Sequence, residues 1–366
     1  MKLEKLHYVD AIRGVAILLV IMRHAAQQGA VALSHFFSVL FSLGASGVQL
    51  FFMASAFTLY RSYRNRQGIE SHATRNFFIR RFFRIAPLYY LAILYFVFYT
   101  FFNVPYWFGE QPYLSSYNIL SNVFFVHGFS PYWINYSNVV PGGWSIAVEM
   151  TFYAITPWLF YKIKTMKHAF VFLCLALVFK LVLQEVFIQM PLISESTVWR
   201  EFLFYYFPNQ LPVFALGIIL YFLITDVKSL HTVSKSLKIL AFVLLLIQAG
   251  TTFDFLYMNH LVISSGMLLF CWLLSQGNLK FISNAFIRYI GKISFSLYLV
   301  HFVVIGWLIK FDWIDFSSHA LINYGIRFMV LLFFSMLISS ITYTYVEVPF
   351  QRLGSKLIRH LSTTKK

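Results

Sequence analysis

The sequence is short of charge: Asp, Glu, Lys and Arg make up 11% of its 366 residues, against about a quarter in soluble globular domains. That excludes an ordinary soluble fold. Cysteine is nearly absent too, and Cys174 and Cys271 both fall in apolar runs, so they read as small packing residues rather than a disulfide framework. No Cys/His spacing suggests a metal site, so no bound metal is expected. Walker, GxSxG and GxGxxG motifs are missing, as are internal repeats, low-complexity linkers and any soluble appendage. Acid is scarcer than base, 13 against 29 residues, for a net charge of +16. In a soluble domain that excess would point to nucleic acid. Here the basic residues follow the boundaries of apolar runs, and no nucleic-acid partner is expected.

What the chain does hold is apolar and aromatic: 59% hydrophobic and 20% aromatic residues, with a mean hydropathy of +0.70. Runs of about twenty apolar residues mark ten candidate spans, near 8–27, 36–60, 84–103, 143–162, 168–188, 203–224, 237–253, 258–276, 288–310 and 324–346. The expected fold is therefore all-α, a polytopic integral membrane protein of about ten transmembrane helices. With both termini cytoplasmic, 23 of the 29 basic residues lie on the inner side, and 103–143 contains no Lys or Arg. The positive-inside rule supports that orientation. A signal peptide at the first span is rejected, because Arg13 and the Arg23-His24 pair interrupt its apolar region. One transmembrane domain is expected over 1–352, followed by a basic cytoplasmic tail at 353–366.

Arg13 and His24 lie inside the first apolar run. Ionisable groups at membrane depth are costly, so they are expected to face protein and to have a task. Eleven residues at 100° each end about 20° past three full turns, which puts the two on one helix face roughly 16 Å apart. Arg80 and Arg84 form an i,i+4 pair with Arg81 beside them and Pro87 just beyond. The planar guanidinium suits phosphate, while topogenic charge and lipid headgroup contact remain the plainer reading, and the favoured one for Arg61, Arg64 and Arg66.

Ser145, Glu149 and Tyr153 make an i, i+4, i+8 stripe on the fourth span. Counted along their helices, Glu149 and His24 reach a similar depth, and a carboxylate there would fix the imidazole tautomer; two separately satisfied core residues are the alternative. Ser294, Tyr298 and His301 follow at i, i+4, i+7 on the ninth span, where His301 reads equally as a reacting group or as a helix-helix hydrogen bonder. His127 is ambiguous in the same way. Glu347, before Pro349, reads as an ion partner for the basic loops.

Taken in order, VDAIRG, the Arg13-x10-His24 spacing, GVQLFFMASAF, RRFFRIAPLYY, GGWSIAVEMTFY, FSLYLVH and VEVPFQR resemble acyltransferase family 3, the bacterial membrane O-acyltransferases of surface polysaccharides. The resemblance runs from about residue 8 to 352. It implies acyl-CoA, usually acetyl-CoA, as a co-substrate from the cytoplasm, with no permanently bound cofactor, and a polysaccharide or lipid-linked sugar as acceptor. It also implies a multi-pass protein of the bacterial cytoplasmic (inner) membrane. Arg13, Arg80 and Arg84 would hold the donor; His24, Glu149 and His301 would be catalytic, His24 as general base or transient acyl carrier; Arg23, Ser145, Tyr153 and Tyr298 would support them. Gln49 and Ala56 depart from the GVDLFF and SGF that members commonly carry. A secondary transporter or flippase of a lipid-linked sugar or small anion would show similar intramembrane groups, but also similarity between halves, and none is visible.

Overall fold

A computed structural model describes residues 6–101, 114–134, 139–226, 258–277 and 279–363. Among them the chain is all-helical, without a strand. Five helices are long and apolar enough to cross a membrane: His35–Arg64, Ala73–Tyr99, Met166–Gln189, Ser196–Thr225 and Ala320–Ser362. The broken pair Ala285–Lys292 and Ser294–Lys310 makes a sixth if counted as one span. The expected number of ten is thus reached only in part. Helices stand at 8–27 and 143–162, as His7–Ala26 and Gly143–Lys162, but Asp10, Arg13 and Arg23 interrupt the first. Glu149, Pro157 and the Ser, Thr, Trp and Tyr residues around them dilute the second. Asn259–Ser275 is apolar but shorter, and the span expected at 237–253 lies outside the described residues.

Contacts divide the chain into two compact units. One comprises 1–16, 48–65 and 148–291. Its central helix is Phe207–Thr225, buried from Asn209 to Leu223 and packed against Met166–Gln189 and Asn259–Ser275. The contrast between spans is informative: 78% of the apolar window of Ser196–Thr225 is buried, against 17% for Met166–Gln189. The first is a core helix. The second exposes Phe170, Val171, Leu175, Val178, Phe179 and Val182, an outer face suited to hydrocarbon. Small residues bring backbones together here as in other helical membrane proteins. A Cβ on Gly217 would lie 2.5 Å from the Met53 carbonyl oxygen and 2.7 Å from the Ala56 Cβ, so Ala56 is accommodated by glycine on its neighbour.

The other unit comprises 17–47, 66–147 and 292–366. Ser294–Lys310 packs along Ala320–Thr342, and Val348–Thr363 packs on Ala73–Phe101. A π-helical turn, Tyr343–Glu347, joins the last two helical stretches. It precedes Pro349, whose missing N–H breaks the ordinary ladder. Residues 353–363 of the expected tail continue this helix.

Candidate functional site

The first helix runs unbroken from His7 to Ala26, so helical periodicity keeps Arg13 and His24 on one face. Asp10 in its first turn and Arg23 in its last complement the helix dipole. His24 is half-buried, and its Nδ1 lies 2.9 Å from Gln27 Oε1. An amide oxygen only accepts, so Nδ1 carries the proton and Nε2 the lone pair. The group that orients this ring is therefore a neighbour one turn on, which the sequence reading did not single out.

His301 is fully buried. Its Nδ1 lies 3.1 Å from the Leu297 carbonyl oxygen, and by the same reasoning its Nε2 is an acceptor. That nitrogen is buried without a hydrogen-bond partner among the described residues. The two imidazole centroids are 5.3 Å apart at an interplanar angle of 33°. The Phe302 ring stands 4.9 Å from His24 and 4.0 Å from His301. Two helices thus bring two imidazoles to one apolar wall.

One turn before His301, the Tyr298 hydroxyl donates to the Gly142 carbonyl at 2.9 Å and accepts from Ser145 Oγ at 2.8 Å. Gly142 has φ +70°, and a Cβ there would fall 2.7 Å from Phe302 Cε2 and 2.8 Å from the Tyr298 oxygen. The PGGW turn therefore requires glycine at 142 twice over, for its backbone angle and for the approach of both rings. His127 Nε2 donates to the next carbonyl, that of Gly143, at 2.9 Å. Beside it Tyr89 donates to Asn122 at 2.7 Å. His127 thus anchors the same turn from within a buried polar network.

In the other unit, Glu149 Oε1 accepts from both Ser55 Oγ and Tyr153 Oη at 2.5 Å. Ser55 completes a pair that helical spacing alone predicts between 149 and 153. Arg13 Nη2 donates to Thr58 Oγ1 at 3.2 Å, and Gln49 to Gln210 at 3.3 Å, both glutamines being buried. A neutral amide pair thus stands where members of the resembled family commonly carry a carboxylate.

The arginine cluster is less uniform than its sequence. Arg80 places both guanidinium nitrogens on Glu70, at 3.0 Å each, and Glu70 also accepts from Arg66 at 3.0 Å and Asn76 at 3.2 Å. Burial of the Glu70 carboxyl raises its pKa. The bonds from Arg80 and Arg66, the Arg80 charge and the Asn76 amide outweigh this and hold it below the ordinary value. Arg84, one turn further, makes no ion pair or hydrogen bond among the described residues. Glu70 was visible as the one acid among seven arginines at 61–84, a signal that spacing rules for the arginines alone pass over. Arg23 packs its Cβ against the turn at Gly44.

A family described as an acyltransferase domain matches residues 6–344. The chain belongs to the acyltransferase 3 family. No curated protein and no solved structure matches it. In a multi-pass membrane acyltransferase, the paired imidazoles beside Phe302 are the described groups best suited to proton transfer. Each ring is fixed by a hydrogen bond at Nδ1, which leaves Nε2 as the acceptor nitrogen. Among the described residues no cluster of three His, Cys, Asp or Glu could hold a metal.

Proposed function

We propose that the protein is a membrane O-acyltransferase, an O-acetyltransferase in the first instance, that moves an acyl group from acyl-CoA to a sugar hydroxyl of a cell-surface or lipid-linked polysaccharide. Family membership supplies acyl transfer, and the single observation that carries the rest is the His24–His301 pair. His24 Nε2 takes the proton as the hydroxyl oxygen attacks the thioester carbonyl; the C–S bond then breaks and the thiolate recovers the proton. His301 Nε2, itself an acceptor, holds a hydroxyl of the incoming sugar. Neutral lone pairs of this kind favour hydroxyl donors over anionic groups. Arg13, Arg80 and Arg84 are the proposed donor-binding residues, Arg80 being steadied by Glu70; Glu149, bonded to Tyr153 and Ser55, is the remaining proposed catalytic residue. The proposed setting is the bacterial inner membrane, with the donor on the cytoplasmic side.

Purified protein incubated with acetyl-CoA should release CoA in the presence of acceptor. Mass spectrometry of surface glycans from wild-type and deletion cells should then show the acyl group and its sugar. Uptake of a lipid-linked sugar or anion into proteoliposomes without acylation would replace this reading with transport.

A further inference from the structure

Arg327 is an arginine that the sequence places at an end of the last span, where it reads as loop charge, yet it is 3% exposed. Its Nη1 donates to the carbonyls of Ala25, at 3.1 Å, and of Gln28. Nε donates to Ile314 at 2.7 Å, and Nη2 to Asp315 at 2.6 Å. Asp315 in turn accepts from the Ala30 amide at 2.8 Å and the Asn323 amide at 2.6 Å. One buried fork therefore closes the C-terminal end of the first helix, whose last carbonyls have no helical partner of their own. The first of these carbonyls belongs to the residue after His24. Gly29 has φ +87°, and a Cβ there would fall 1.9 Å from Arg327 Nη2, so the chain passes directly over the guanidinium.

Twenty residues along the same helix, roughly 30 Å or one hydrocarbon thickness, a second buried ionisable residue repeats the device. Glu347, 3% exposed, accepts from the Ser296 amide at 3.0 Å and from the Ser296 hydroxyl. A carboxylate here meets the unpaired N–H groups and positive dipole end of Ser294–Lys310, the helix that carries Tyr298 and His301. The π-turn at Tyr343–Glu347 supplies the altered backbone phase at that point.

We infer that Ala320–Glu347 is a strut that sets the spacing of His24 and His301, Arg327 fixing the end of one histidine helix and Glu347 the start of the other. Both are positioning residues, since the bonds described for them run to helix ends and to Asp315. Their part in turnover rests on the acyl-transfer reading, whereas the spacing itself does not.

The test has two arms. In a His24→Cys/His301→Cys background lacking Cys174, a short bis-maleimide should bridge the two thiols in high yield. Glu347→Gln, Arg327→Lys and Gly29→Ala should each lower the bridged fraction several-fold in protein of unchanged elution and helix content. Gly29→Ala leaves both charged residues in place, and Arg327→Lys keeps the charge, so the inference does not depend on one variant folding. In the histidine-bearing protein the same changes should lower kcat on the order of tenfold to a hundredfold, as small misplacements of reacting groups do, with donor KM nearly constant. Unchanged bridging in all three variants overturns the strut, as does a rise in KM at constant kcat. An inactive wild type that still bridges normally, and loses bridging in the variants, refutes acyl transfer and upholds the strut.

Discussion

His24 and His301, 277 residues apart in sequence, face one another at 5.3 Å between ring centroids. Each has its tautomer fixed through Nδ1, by Gln27 and by the Leu297 carbonyl. With a proton on each Nδ1, each ring is left with an acceptor nitrogen at Nε2. One base and one hydroxyl acceptor is the division of labour that this geometry favours. His24→Ala should accordingly reduce acyl transfer by at least about a hundredfold, the scale of general-base catalysis, while acetyl-CoA binding, measured by calorimetry, stays near wild type. His301→Ala should also slow turnover but raise the acceptor KM. If His24→Ala modifies surface glycan at a comparable rate at matched protein levels, the base is His301.

Arg80 and Arg84 separate on structural grounds although they look equivalent in sequence. Arg80 is engaged bidentately by Glu70, so its charge is largely spent within the chain. Arg84→Ala should therefore weaken acetyl-CoA binding more than Arg80→Ala, by roughly 1–3 kcal/mol for a charge-assisted phosphate bond. The gap should narrow as salt screens the phosphates. Equal losses at low salt would assign the donor phosphates to both residues alike, and no loss in either would return both to a role in topology.

The sequence made some of this legible and hid the rest for physical reasons. The Arg13–His24 register and the Glu149–Tyr153 pair follow from the fixed angular step of a helix, and local rules reach them. The approach of His24 to His301, the capture of Arg80 by Glu70 and the Glu347 bond to Ser296 depend on tertiary packing, which carries no local periodic signal. Arg327 was hidden because counting charge by side of the membrane treats every basic residue at a helix end as solvated. Glu347 accepts from the Ser296 amide and hydroxyl at a helix start, a bond across 51 residues that its place in the sequence does not announce. Hydropathy was reliable for apolar spans such as 168–188 and weaker where function inserts Asp10, Arg13 or Glu149 into the run.

Glu149 receives two hydroxyls on one carboxyl oxygen. Glu149→Gln preserves the volume and one acceptor while removing the charge. It should leave the fold and donor binding intact and lower turnover on the order of a hundredfold or more, by analogy with loss of an orienting carboxylate. Single-turnover kinetics separate the two. Activity within about twofold of wild type would make Glu149 a structural residue that ties Ser55 to Tyr153.

The proposed orientation puts the 61–84 loop in the cytoplasm and 104–142 outside. Ser71 and Ser116 are both exposed, whereas Ser115 caps the helix that begins at Ser116 through the Asn118 amide and is better left alone. Cysteines placed at 71 and 116 in a Cys174→Ser background should react from opposite faces of intact cells with an impermeant maleimide. Cys174 must go because it is exposed, and Cys271 can stay because it is buried. Labelling of both sites from outside would refute the positive-inside assignment.

The Glu70 cluster gives a pH dependence whose sign is fixed by its bonds. Arg80, Arg66 and Asn76 favour the ionised carboxylate by more than burial disfavours it, so the folded pKa lies below the ordinary carboxylate value of 4.5. A depressed acid pKa means that the unfolded chain binds the proton more readily, so the cluster contributes its full stability above about pH 4.5 and loses it as pH falls through the lower folded value. Between pH 5 and 8 the wild type should therefore melt at a constant margin above Glu70→Gln, and the margin should shrink only below about pH 4.5. The same variant frees the Arg80 fork, so its affinity for acetyl-CoA at neutral pH should rise if Arg80 faces the donor and stay constant if Arg80 serves only to order the loop. Thermal unfolding in nanodiscs across pH 3.5–8, paired with donor binding at pH 7, measures both. A margin that already narrows between pH 7 and 5 would show that the Glu70–Arg80 bond is not what holds this loop.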